Sequence, residues 1–100
     1  MEVIIQSPHF TLNEALNSFI NVKLDRLSHH YDRIESAHVL LRIEKSDPTD
    51  YKVCEIRLAV PGNDLFAKKH SDTYEDAITQ VTDALQEQMG KMKNRLRHRS

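Results

Sequence analysis

One hundred residues, 39% hydrophobic and 29% charged, suffice for one modest core and exclude both a two-core protein and an intrinsically disordered chain. The formal net charge of −1 conceals a polarity: residues 91–100 carry five Lys or Arg and no acid, whereas the residues before them carry nine Lys or Arg against fifteen Asp or Glu. No apolar run approaches the length that crosses a bilayer, so no membrane partner is expected, and the two glycines leave no phosphate-cradling GxGxxG or P-loop.

Glu2–Gln6, β-branched at Val3, Ile4 and Ile5, reads as a short strand ended by Pro8. The chain enters this pattern at once, so no signal or transit peptide is expected. Thr11-Leu12-Asn13-Glu14 has the form of a capping box, the Thr11 hydroxyl accepting from an orphan N–H while Glu14 reaches back. A helix is expected from there to about residue 31, with Leu12, Leu16, Phe19, Ile20, Leu24 and Leu27 on one stripe. Ser36–Glu44 alternates, placing Ala37, Val39, Leu41 and Ile43 on one face and His38, Leu40, Arg42 and Glu44 on the other. The turn cluster Ser46-Asp47-Pro48-Thr49-Asp50 leads into a second long strand over residues 51–60, with Cys54, Ile56, Leu58 and Val60 facing inward. Pro61-Gly62-Asn63-Asp64 supplies a tight turn, and residues 65–70 return as a hairpin strand. Asp72-Thr73-Tyr74-Glu75 resembles a second capping-box start. The helix after it carries Tyr74, Ala77, Ile78, Val81, Leu85, Met89 and Met92 on one stripe and extends to about residue 96.

The order is β-α-β-β-β-α, an α+β arrangement. A strand–helix–strand crossover makes the first two strands parallel if they pair directly, and the short links make the others antiparallel. Each helix has a single apolar face, so both are expected on one side of a four-stranded sheet. The other sheet face is mixed, with Arg42, Arg57 and Lys68 among Leu40, Val53 and Phe66. Residues 1–100 are expected to form a single domain with a basic C-terminal tail at about residues 94–100.

Chemistry-bearing clusters are scarce. Cys54 is the lone cysteine, which points to a reducing, cytoplasmic setting. His9, His29, His30, His38, His70 and His98 form no HExxH and have no paired cysteine, so no metal site is expected. No nucleophile-and-base arrangement stands out either. The chain is therefore expected to be no enzyme, with no cofactor and no small-molecule substrate.

Polar residues on the apolar stripes are more informative. Lys23 falls inside the first helix's stripe, with Arg26 at its edge. Either the lysine stem covers apolar surface while its ammonium reaches water, or the helices leave a groove into which Lys23 delivers charge. Gln88 repeats the intrusion on the second helix, where an unsatisfied buried amide costs about 1–3 kcal/mol. With Lys91 and Lys93 just beyond, these residues suggest a polar seam at one end of the helix pair. Lys68-Lys69-His70 reads as a solvated edge. Tyr74 reads as a core aromatic with a wet hydroxyl, or as a ring offered to RNA. The basic helical end is a candidate phosphate footprint, but Glu75, Asp76, Asp83 and Glu87 restrict any such contact to particular positions.

Several segments recur in order: Thr11-Leu12-Asn13-Glu14-Ala15-Leu16, Lys23-Leu24-Asp25-Arg26-Leu27, Leu65-Phe66-Ala67, Asp72-Thr73-Tyr74, Ala77-Ile78, and Leu85 with Gln88 and Lys91. The ordered set resembles the short ribosome hibernation promoting factors, also called ribosome-associated inhibitors or sigma-factor modulation proteins. That resemblance implies a fold similar to a double-stranded-RNA-binding domain, with two helices on one side of a four-stranded sheet. It implies a protein that binds the small ribosomal subunit, meeting 16S rRNA and neighbouring ribosomal proteins in the mRNA/tRNA channel around the A and P sites. Such a protein blocks translation and preserves idle ribosomes by occupancy, and is a monomer off the ribosome. Carried over by position, rRNA contacts fall on Lys23 and Arg26 of the first helix and on Tyr74, Gln88 and Lys91 of the second. Lys93 and Arg95 extend the basic end, and Arg42, Arg57, Lys68 and Lys69 are sheet candidates. The sequence departs from the family where Ala84 and Glu87 replace positions that are often basic, and where Thr73 replaces a methionine. The residues alone leave an alternative open: a protein-interaction module that uses the open sheet face without RNA binding.

Overall fold

Alternating patterns in four segments and helical-period stripes in two produce β1 (Glu2–Gln6), α1 (Glu14–His30), β2 (Ser36–Glu44), β3 (Tyr51–Ala59), β4 (Leu65–Ser71) and α2 (Tyr74–His98). This computed structural model describes residues 1–98, with side chains through Arg95. Arg99 and Ser100, at the end of the expected basic tail, lie outside the described residues, as does the side chain of Arg97.

The sheet order is β1-β2-β3-β4. β1 runs parallel to β2, with Val3 beside Ala37 and Ile5 beside Val39, because α1 carries the chain back before β2 begins. β2 and β3 are antiparallel, with Val39 opposite Ile56 and Leu41 opposite Cys54. β4 continues the antiparallel run, with Ala67 opposite Ile56. This register lines every inward side chain on one face. Leu16, Ile20, Leu24 and Leu27 of α1 join Ala77, Ile78, Val81, Leu85 and Met89 of α2 over it, in one core shared by the described residues. Burying each such large aliphatic side chain contributes roughly 1.5–3 kcal/mol, so this layer fixes where both helices lie. The expected architecture, two helices on one sheet face, is the one observed.

Local boundaries differ from the sequence reading in instructive ways. Asn13, not Thr11, caps α1: its Oδ1 accepts from the Leu16 N–H at 2.8 Å. The later start follows from tertiary contacts on the preceding loop. His9 Nδ1 accepts from the Ile43 N–H at 3.0 Å, and the Phe10 ring stacks on Tyr74 with centroids 4.8 Å apart. These hold the chain against β2 and the start of α2 as far as Asn13. Thr73, not Asp72, opens α2, its Oγ1 accepting from the Asp76 N–H at 3.1 Å. Gly62 adopts φ +93 in the β3–β4 turn, a backbone state that side chains resist. β3 stops at Ala59, β4 reaches Ser71, and α2 runs past the expected residue 96. No helix among the described residues is long and apolar enough to cross a membrane.

Candidate nucleic-acid interface

Lys23 projects from the middle of α1 toward α2. It is half-buried, with its ammonium 5.5 Å from the centroid of the Phe19 ring. With Arg26 and Leu27 it faces Thr82, Asp83 and Gln86 across a small cleft between the helices. The Thr82 hydroxyl is satisfied within its own helix by the Ile78 carbonyl at 2.9 Å, so the cleft floor leaves no buried polar demand for Lys23 to meet. Neither Lys23 nor Arg26 forms an ion pair among the described residues.

Gln88 lies on the other flank of α2. Two residues along a helix turn roughly 200° about its axis, so Gln86 faces α1 while Gln88 faces β4. There the Gln88 amide donates to the Phe66 carbonyl at 2.9 Å, fastening α2 to the edge of the sheet. This corrects the expectation of a seam shared by Lys23 and Gln88: the amide has a structural partner and the lysine lies across the helix from it.

The same rotation splays the basic end. Lys93 turns toward α1 and its ammonium donates to the His30 carbonyl. Lys91 points outward and pairs with Glu87 at 3.6 Å, both well exposed. Arg95 swings to the side of the β3–β4 turn, beside Asn63, Asp64 and Leu65.

Tyr74 is only 8% exposed, its ring set between Phe10 and the Lys52 ammonium, which lies 5.9 Å from the ring centroid. Its hydroxyl donates to the Arg42 carbonyl at 3.1 Å, and burial pushes the phenol above its ordinary value. Tyr74 is therefore a core aromatic that anchors α2 to β2, the first of its two sequence readings.

The sheet candidates divide further. Arg42 Nε lies 2.7 Å from a Glu55 carboxylate oxygen, both partly buried, so its charge is already matched. Arg57 is exposed, its guanidinium stacked 5.0 Å from the Phe66 centroid. Lys68 is the register partner of Glu55 on the open face, whereas Lys69, in register with Cys54, falls on the helix-bearing side. The expected residues thus occupy two opposite faces.

Residues 3–97 match the family model described as sigma 54 modulation protein / S30EA ribosomal protein. The chain belongs to this family. It is 32% identical over 96 residues to a ribosome hibernation promoting factor of Pseudomonas putida, covering 95% of this chain and 89% of that relative. It is 29% identical over 97 residues to the protein of the same name from Escherichia coli (strain K12), covering 97% and 98%. Its fold is similar to that of a ribosomal subunit interface protein from Coxiella burnetii, with a TM-score of 0.84, 22% identity, and 94% and 99% of the two chains covered. It is also similar to the Thermus thermophilus Protein Y N-terminal domain, with a TM-score of 0.75, 21% identity, and 92% and 99% covered.

Within this family fold, two residues absent from the sequence-derived set stand beside Arg95: Tyr31 and Arg33. In the sequence Arg33 is an isolated cation between a helix and a strand, and only the tertiary fold brings it to the recess shared with the end of α2. Among the described residues, no group of three or more His, Cys, Asp or Glu is placed to hold a metal ion.

Proposed function

We propose that this chain is a ribosome hibernation factor that acts by occupancy. It binds the small ribosomal subunit in the mRNA/tRNA channel around the A and P sites, against 16S rRNA and neighbouring ribosomal proteins. In doing so it blocks translation and preserves inactive ribosomes. The observation that carries this reading is the nearly end-to-end similarity to relatives named ribosome hibernation promoting factor. The geometry supports a contact from the helix-bearing side, where Lys23, Arg26 and Arg95 present charge without an ion-pair partner among the described residues and Lys91 presents charge only loosely paired with Glu87 in solvent. Such charge displaces the counterions condensed on rRNA. Arg42, matched by Glu55, adds little to that term.

On this reading residues 1–100 act as one ribosome-binding domain, with the basic end at about residues 94–100 contributing phosphate contacts. The chain works as a cytoplasmic monomer and needs no catalysis, because filling the channel is itself the inhibition. The test is competition on purified small subunits carrying labelled mRNA and initiator tRNA. Stoichiometric protein should release both labels, whereas binding that leaves mRNA and tRNA in place would reject the channel.

A second reading is a protein-interaction module on the open sheet face, favoured by the exposure of Ile4 (37%) and Phe66 (40%) there. Apolar contact of that kind keeps its strength as salt rises and is sensitive to Phe66→Ser, whereas the rRNA contact weakens with salt and tolerates that change.

A further inference from the structure

We propose that the recess where the end of α1, the β3–β4 turn and the last turns of α2 meet binds one unstacked nucleotide of single-stranded RNA. This recess lies at the end of the molecule, away from the α1–α2 cleft that holds Lys23 and Arg26. Its volume of about 530 Å³ falls within the range of roughly 300–1,000 Å³ typical of small-molecule sites.

The walls divide by chemistry. Tyr31, Leu65 and Met92, all half-buried, make an apolar surface with one aromatic ring. A nucleobase removed from its stack seeks a surface of that kind, because its faces are apolar and stack on aromatic rings. Arg33 and Arg95 are both exposed on the rim, and neither pairs with a carboxylate among the described residues. Two planar guanidiniums flanking an apolar floor suit a base with its phosphate attached, since each fork donates to two phosphate oxygens.

Two further features narrow the ligand. Carbonyls at the end of α1 would repel phosphate, but the Lys93 ammonium donates to the His30 carbonyl and offsets that charge. Asp64 also lines the recess. A carboxylate there repels any phosphate, but repels the double charge of a free nucleotide more strongly than the single charge of a phosphodiester. Duplex RNA cannot insert a base, so the ligand is a single strand.

The test is a backbone-amide NMR titration of the full chain with a single-stranded RNA tetranucleotide and, in parallel, with AMP. Saturable shifts at Tyr31, Arg33, Asn63 and Leu65 are expected with the tetranucleotide and only weakly with AMP. Arg33→Glu and Arg95→Glu, both exposed and so compatible with folding, should each weaken tetranucleotide binding roughly tenfold. Equal saturation by AMP would overturn RNA as the source and assign the recess to free nucleotides. Shifts confined to the α1–α2 cleft or the open sheet face, or unchanged affinity in folded charge-reversed variants, would overturn the site itself. The titration contains no ribosome, so its outcome stands apart from the small-subunit reading.

Discussion

Cys54 lies on β3 opposite Leu41 with no exposed surface, and burial, helped by the neighbouring Glu55 carboxylate, pushes its thiol up to about 12 from an ordinary 9.0. The folded state therefore holds this proton more tightly than the unfolded one. The stability it contributes is fully present below about pH 9 and is lost as pH rises toward about 12. Tyr74, also raised by burial, adds to the same alkaline decline. Cys54→Ala should therefore show a shallower loss of stability on the alkaline side than the wild type, whatever its baseline, in denaturant melts across pH. An unchanged slope would place the thiol outside the core. The inward position of Cys54 was legible from alternation alone, because a strand buried on one face leaves its side chains only two directions. The role of Tyr74 was not. Its stripe position fits either reading, and the long-range bond from its hydroxyl to the Arg42 carbonyl, which supports the core one, joins residues far apart in sequence.

At the scale of elements, α2 is built from a well-packed stripe and one weak link. Gly90 is exposed in the helix interior, and a Cβ added there meets nothing within 4 Å. Gly90→Ala should stabilise the protein by about 1 kcal/mol, read as a rise in Tm of roughly 4–8 °C. A lowered Tm would reveal a contact that requires glycine. The stripes themselves were readable, since Leu16, Ile20, Leu24 and Leu27 and their counterparts on α2 recur at the helical period and bury the faces expected of them. The caps were not, because Thr11 and Asn13 both offer a capping oxygen within one turn. The choice falls to Asn13 through the His9 and Phe10 contacts, which join segments far apart in sequence. Gln88 shows the same limit: its partner, the Phe66 carbonyl, comes from the opposite end of a hairpin and a helix.

For the whole molecule, the element order and sheet arrangement follow from local periodicity and short links, but the candidate site does not. Lys91, Lys93 and Arg95 read as one basic run, yet helical rotation sends them to Glu87, the His30 carbonyl and the β3–β4 turn respectively. Arg42 reads as a free cation and is paired with Glu55 across the sheet. On the proposed reading, the charge available to rRNA is thus smaller and more directional than composition suggests, with Lys23, Arg26, Lys91 and Arg95 on the helix-bearing side as its main part. The most direct measurement is co-sedimentation with purified small subunits from about 50 to about 200 mM salt, comparing wild type with a Lys23→Met/Lys91→Ala variant and using thermal melts to control for folding. The wild type should pellet at low salt and be lost steeply as salt rises, and the folded variant should bind more weakly with a shallower dependence, since fewer phosphate contacts release fewer counterions. Failure of the wild type to pellet at low salt, or binding by the folded variant with unchanged strength and slope, would contradict the account.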